Sequence, residues 1–152
     1  MNSGENNLKT LNTLLQGEQM GVDSFNLLIS KVKDTRLRNT FQKMQKDHRD
    51  HSAQLSKRIQ DLGGTPHEKL GLKGVMADTM LNFDLKMDDT DKHILDKAYK
   101  GVSKGVSMSE EIARGDLDSE SMNLVKDILS KDKSHIEIME SLKSEFSSEE
   151  LS

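Results

Sequence analysis

The stretch FQKMQKDHRDHSAQL, residues 41–55, decides the fold. Positions 41, 44, 48, 51 and 55 follow one another at alternating steps of three and four, the spacing of one helix face. Phe41, Met44 and Leu55 hold three of these positions, and His48 and His51 hold the other two. The stretch therefore predicts an amphipathic helix whose buried row carries two imidazoles.

Working outward, this helix is predicted over 35–62, and similar periodicity predicts helices over 7–33, 90–114 and 119–146. Gly63-Gly64-Thr65-Pro66 ends the quoted helix, and a short helical piece is predicted over 73–86. Few residues link the first two helices, which predicts an antiparallel hairpin. The fold class is all-α: a four-helix bundle of two antiparallel hairpins joined by a long crossover. We expect one domain, 1–152, with frayed ends at about 1–6 and 147–152.

Composition narrows the class of partner. The chain has 152 residues, a net charge of −4 and no basic stripe, which argues against nucleic acid as a partner. It has no cysteine, so disulfides and thiolate metal sites are excluded. We see no signal peptide and no apolar run of membrane-spanning length, so no membrane partner is expected and the predicted location is cytoplasmic.

Five ionisable residues interrupt the apolar rows: Glu18, His48, His51, Asp132 and His135. Glu18 lies 16 residues before the first turn near position 34, and the two histidines of the quoted stretch lie 14 and 17 after it. Asp132 and His135 lie 15 and 18 past the second turn near position 117. If the two hairpins stack at similar height, all five side chains converge on one layer of the core.

Such a layer points to a metal ion. A buried carboxylate without a partner costs several kcal/mol, and a divalent ion neutralises the acids while binding the ring nitrogens. Iron, manganese and zinc suit this mixture of nitrogen and oxygen donors, whereas calcium and magnesium do not. The alternative is a salt-bridged polar network that fixes the register of the helices.

At this point the chain resembles the ferritin-like superfamily, and in particular the small bacterial family DUF2383, whose members are described as ferritin-like or rubrerythrin-like. The resemblance covers about Leu8 to Leu142. It rests on the first helix with Glu18, the segment from Phe41 to His51, the Leu62-Gly63-Gly64-Thr65-Pro66 ending and Asp132-Lys133-Ser134-His135.

The superfamily pattern is Glu on the first and third helices and Glu-x-x-His on the second and fourth. His48 stands where Glu is expected, and Asp132-x-x-His135 carries a shorter acid. The third helix has no carboxylate at its expected level, Tyr99 through Ser103, and Glu110 and Glu111 are placed about two turns further on. The missing bridging carboxylate is a departure from the family pattern that argues against a full di-iron centre and for one metal ion or a degenerate site.

Two functions stay open. One is a metal-binding ferritin-like protein with iron or manganese redox or oxygen chemistry, zinc being an acceptable alternative. The other is a non-enzymatic pseudo-ferritin bundle with a structural or partner-binding role, and the sequence does not decide whether the chain is an enzyme. A homo-oligomer is left open because small ferritin-like chains often pair and the polar faces do not forbid it, although no exposed apolar stripe is predicted. Methionines such as Met76 and Met80 are expected to fill the core.

Overall fold

Five α-helices form the structure, a computed structural model that describes residues 3–68 and 72–151. In chain order they are α1 (Ser3–Lys31), α2 (Thr35–Asp61), α3 (Leu72–Met87), α4 (Asp91–Ala113) and α5 (Ser119–Leu151). No strand occurs in the part of the chain that is described. The all-α prediction is confirmed, with α1, α2, α4 and α5 as the bundle and α3 as the predicted crossover helix.

Local chemistry sets the ends of α2. The Asp34 carboxylate accepts a hydrogen bond from the backbone N–H of Leu37 at 2.9 Å and caps the helix. After the helix, Gly63 adopts a φ of +85°, a left-handed conformation that favours glycine. A Cβ on Gly64 would come within 2.5 Å of the Leu8 side chain, so glycine lets this end of α2 lie against the start of α1.

Helices α1 and α5 extend beyond the predicted boundaries. The structure begins α1 at Ser3 rather than near residue 7, and it ends α5 at Leu151 rather than near residue 146. No proline stands in either extension, so backbone hydrogen bonding can continue through both. The fraying of these ends stays a prediction.

Two polar clamps fix the height of one hairpin against the other. At one end of the bundle, the Asp91 carboxylate accepts hydrogen bonds from the backbone N–H groups of Lys33 and Asp34, at 2.9 and 2.8 Å. At the other end, the Arg58 guanidinium donates to Asp118 at 2.7 Å and to Glu120 at 2.8 Å. Because α4 starts where α2 starts and ends where α2 ends, these two helices run parallel, as predicted.

The apolar core has two parts. One cluster surrounds Phe25, Phe41 and Leu95, and it also includes Leu85 of α3. The other surrounds Leu11, Leu15 and other buried residues of α1, α2 and α5: Leu14, Leu55, Ile59, Val125 and Ile128. Along α1, residue 18 lies between the last residue of the second cluster and Phe25, so a gap in the apolar packing falls at mid-helix. None of the described helices is long and apolar enough to cross a membrane.

Candidate metal centre

The gap between the two apolar clusters is filled by polar side chains from three helices. Glu18 comes from α1, His48 and His51 from α2, and Asp132 and His135 from α5. Each of these residues is at most 7% exposed. The five predicted site residues therefore lie together in one buried layer, at matched heights that the end clamps maintain.

Glu18 and His48 form the tightest contact of the layer. His48 Nδ1 lies 2.5 Å from Glu18 Oε2, and His51 Nδ1 lies 3.4 Å from the same oxygen. Burial alone would raise the pKa of Glu18, but the contacts with both histidines outweigh it and lower that pKa to about 2. Burial opposes protonation of His48 in turn, yet the hydrogen bond to Glu18 raises the pKa of this imidazole. Both pKa shifts favour a charged imidazolium paired with a charged carboxylate at this contact.

The His48 ring packs against Gly21 of α1. A Cβ at this position would lie 3.4 Å from three ring atoms, which is van der Waals contact, so the ring packs directly against the α1 backbone here. On another side the ring stacks at 5.6 Å, centroid to centroid, against Phe25. The ring orientation is consequently fixed by packing as well as by Glu18.

Asp132 faces the same layer from α5. Its Oδ1 lies 4.0 Å from His51 Nδ1 and 3.7 Å from His135 Nδ1. Burial, together with the nearby negative charge of Glu18, raises the pKa of Asp132 to about 7. The pKa of Glu18 is thus lowered and that of Asp132 raised, so Asp132 is the carboxylate that is partly protonated near neutral pH.

His135 is oriented by a residue that the sequence analysis missed, Asp47. His135 Nε2 lies 2.8 Å from Asp47 Oδ2, and the Asp47 side chain is 28% exposed. Burial lowers the pKa of His135 despite this carboxylate, which favours a neutral ring with its proton on Nε2 and a bare Nδ1 facing Asp132. Asp47 lies off the apolar row of α2, so periodicity gave no signal for it.

Several buried atoms of the layer have no hydrogen-bond partner among the described residues: His48 Nε2, His51 Nδ1, Asp132 Oδ1 and His135 Nδ1. Buried polar atoms are ordinarily paired, so a group of four unpaired atoms needs an explanation. Glu18, His48, His51 and Asp132 each offer a ligand atom within 4.8 Å of the others. These donors fit a divalent ion, and His135 stands beside the set.

Helix α4 contributes no carboxylate to the layer. The Tyr99 hydroxyl donates to Glu140 at 3.0 Å near the surface, so Tyr99 is a rim residue rather than a site partner. Glu110 pairs with Lys133 at 3.4 Å, which places it near the height of Asp132 and corrects the two-turn offset predicted from the sequence. It still misses the site because it lies on the outer side of α4, with 41% of its side chain exposed.

The comparisons with known proteins agree with this fold. A family model described as "Domain of unknown function (DUF2383)" matches residues 6–115. No sequence among the curated proteins matches the chain. Among the solved structures that resemble it are three at 16 to 17% identity, a level that supports the ferritin-like fold alone.

The first of these structures is a two-domain protein from Anabaena variabilis with DJ-1/ThiJ/PfpI-like and ferritin-like domains. It has a TM-score of 0.80 at 16% identity over 97% of this chain, which spans only 38% of that longer protein. A dodecameric thioferritin from Bacteroides fragilis has a TM-score of 0.79 at 17% identity, with 97% and 89% of the two chains covered. A ferritin-like, diiron-carboxylate protein from Bacillus anthracis has a TM-score of 0.58 at 16% identity, with 94% and 99% covered.

Proposed function

We propose that this chain, which belongs to the DUF2383 family, binds one divalent transition-metal ion between Glu18, His48, His51 and Asp132. The observation that carries the proposal is the buried group of four donor residues that three helices bring within 4.8 Å of one another, together with the unpaired atoms of this layer. A register-fixing polar network would be stable only if its members satisfied one another. Here four buried atoms of the layer have no partner among the described residues, and a bound ion would satisfy them.

Each residue has a distinct task in this proposal. Glu18 and Asp132 neutralise the charge of the ion, and His48 and His51 supply ring nitrogens from adjacent turns of α2. Asp47 acts on His135 from outside the layer, as a carboxylate that fixes the ring and its tautomer. Binding must displace the protons that Asp132 and His48 hold in the metal-free protein, so metal uptake is coupled to proton release.

The donor set indicates which ions to test. Imidazole with carboxylate suits iron, manganese and zinc, whereas calcium and magnesium prefer sites made of oxygen. Iron and manganese come first because a neighbour of the same fold is described as a diiron-carboxylate protein.

One ion rather than two is proposed because α4 supplies no bridging acid. A bound iron or manganese ion would supply redox chemistry toward oxygen or peroxide. Location in the cytoplasm stays a prediction.

The test is elemental analysis of untagged protein purified without chelator, with iron, manganese and zinc quantified per chain. We expect about one equivalent in the wild type and none in the double variant His48→Ala/His51→Ala. The matched control is His93→Ala, because His93 pairs with Asp84 and Asp88 at the end of the bundle where α4 begins, away from the layer. This control should keep the full metal content.

A different result would favour the second function. If the metal content of the wild type stays near zero after anaerobic reconstitution with iron and manganese, the pseudo-ferritin hypothesis gains support. The polar layer would then be a structural relic. An equal metal content in the wild type and in His48→Ala/His51→Ala would place the ion elsewhere and would overturn the proposed site.

A further inference from the structure

Helix α3 exposes a stripe of large apolar side chains on its outer face. Met76, Met80, Phe83 and Met87 are 56%, 70%, 67% and 75% exposed, so Met76 and Met80 do not fill the core as the sequence led us to expect. We call these four residues the α3 stripe. The expectation of no exposed apolar stripe was wrong because the sequence showed an apolar helix without showing which of its faces meets the bundle. Contiguous apolar surface of this kind marks an interaction site.

The opposite face of α3 is already occupied. Gly74 is buried, Leu85 is 1% exposed, and Leu81 packs against the same apolar cluster as Leu85. A helix on the surface of a monomer is normally apolar on one side only, and a helix that is apolar on both sides is normally covered on both. The composition of α3 therefore points to a cover for its outer face.

We propose that a second copy of this chain covers the α3 stripe, with the two α3 helices antiparallel. The residues of the stripe are separated by four, three and four positions, so their spacing reads the same in both directions. A two-fold axis between positions 81 and 82 places Met76 opposite Met87 of the second copy and Met80 opposite Phe83 of the second copy. Such self-complementarity is what an isologous dimer requires of one surface patch.

The charges beside the stripe are compatible with this pairing. Thr79 and Lys86 flank one side, and Ala77 and Asp84 flank the other. With a rise of about 1.5 Å per residue, the two copies of Lys86 would be about 13 Å apart along the axis, each beside an uncharged Thr79. The two copies of Asp84 would be about 7 Å apart, and each is already bound within its own chain, at 2.7 Å to His93.

The area of the stripe sets the expected strength of the dimer. If a fully exposed side chain of this size has about 200 Å² of surface, the four residues together expose roughly 500 Å². A standard stable interface buries about 800 Å² on each partner. The α3 dimer should therefore be a weak, concentration-dependent one, with a dissociation constant in the micromolar range or above, rather than a permanent assembly.

Sedimentation velocity over a concentration series tests the surface. The wild type should shift from monomer to dimer as its concentration rises, and Met80→Lys/Phe83→Lys should stay monomeric. The matched control is Ile138→Lys, because Ile138 is also exposed, at 45%, but lies on α5 away from the stripe. This control should associate like the wild type. A wild type that stays monomeric up to about 1 mM, or an association that the double lysine variant leaves unchanged, would overturn the proposal.

Disulfide cross-linking tests the antiparallel register, since the chain has no native cysteine. Met76→Cys protein mixed with Met87→Cys protein should give cross-linked pairs on mild oxidation. Either variant alone should not, because equal positions would lie about 16 Å apart along the axis. Efficient cross-linking of Met76→Cys with itself, or no cross-linking in the mixture at a concentration where sedimentation shows dimer, would contradict the register.

Discussion

The two hairpins of the bundle contribute unequally to the buried layer. The α1–α2 hairpin supplies Glu18, His48 and His51, which already contact one another. The α4–α5 hairpin supplies Asp132 and His135, both from α5, and α4 supplies no carboxylate. The first hairpin thus supplies three of the four proposed ligands, an α1–α2 half-site, and the second supplies the fourth, Asp132, from α5 alone. This difference explains why one ion is easier to accommodate than two.

The unequal contribution also shows what each hairpin needs from the other. The α1–α2 half can pair its own charges, because Glu18 and His48 form an ion pair. The α5 half cannot, because the nearest partners of Asp132 lie at 3.7 and 4.0 Å, and its pKa is raised to about 7. The charge of Glu18 is therefore paired within its own hairpin, whereas Asp132 has no close partner for its charge. Substitutions at these two carboxylates should have different effects.

The largest expected effect is the loss of metal affinity on neutralising Glu18. Glu18→Gln keeps the size of the side chain but removes the charge that both α2 histidines contact. Loss of an outer partner typically costs 10- to 100-fold in affinity, so loss of this ligand should cost more, on the order of 1,000-fold. Asp132→Asn should cost less, because the α1–α2 half stays intact. Competition against a chromophoric chelator measures both, and an Asp132→Asn defect larger than that of Glu18→Gln would reverse the ranking of the hairpins.

The next effect is the pH dependence of stability in the metal-free protein. The pKa of Asp132 is about 7 in the folded chain against 3.8 for an ordinary aspartate. The folded state therefore binds the proton more tightly, and the free energy of unfolding should fall as pH rises from about 4 to about 7 and then level off. At about 1.4 kcal/mol per pKa unit, the fall attributable to Asp132 is on the order of 4 kcal/mol.

Other groups of the layer modify this profile without reversing it. The raised pKa of His48 adds a further loss of stability at higher pH, whereas the lowered pKa of His135 opposes it just below pH 6.5. The stabilisation from Glu18 is lost only as pH falls from about 4.5 toward about 2. Urea unfolding of chelator-treated protein between pH 4 and 9 measures the profile. Asp132→Asn should lack most of the fall, and a parallel profile in that variant would show that Asp132 is not its source.

A smaller effect should follow from removing the carboxylate behind His135. Asp47→Asn should weaken metal binding by at most about 10-fold, because it removes the negative charge behind His135, a ring that stands beside the four proposed ligands rather than among them. Asp50→Asn is the matched control: Asp50 is on the same helix but only pairs with exposed Lys46 at 2.9 Å. Equal affinities for these two variants would leave Asp47 without a role at the site. Asp47→Glu should restore part of the affinity if the carboxylate itself is what matters.

Most of the fold followed from periodicity. The five helices lie within a few residues of their predicted positions, because apolar rows and the stops at 34, 63–66 and 115–118 are local features of the sequence. The five site residues were identifiable for the same reason: each interrupts an apolar row. Their convergence depended on the relative height of the hairpins. That height is set by Asp91 and Arg58, whose long-range partners no local pattern reveals.

Two of the features that the sequence did not predict depend on direction around a helix axis, and a third depends on height along it. Asp47 was missed because it is off the buried row of α2 yet turns toward α5. Glu110 was placed at the wrong height because the count from the turn ignored how α4 and α5 are offset. The outer face of α3 was unpredictable because its apolar residues surround the helix, so only the packing of Leu81 and Leu85 shows which side is left outside.

The smallest expected effect tests the missing acid on α4. Ser109 is 1% exposed, and its hydroxyl has no hydrogen-bond partner among the described residues. It precedes Glu110, whose pairing with Lys133 places this part of α4 near the height of the layer. Ser109→Asp would add a buried carboxylate on α4, the bundle helix that contributes none to the layer, at a cost in stability of a few kcal/mol without metal.

If the added Ser109→Asp carboxylate reaches the layer, manganese or iron should raise the melting temperature of the variant more than that of the wild type, because a ligand that binds only the folded state stabilises by mass action. The metal content should also rise above one equivalent per chain under reconstitution. Ser107→Asp is the control, since Ser107 lies on the exposed side of α4. A variant with wild-type stoichiometry and no extra stabilisation by metal would mean that the α1–α2 half-site, and not the missing acid, limits the layer to one ion.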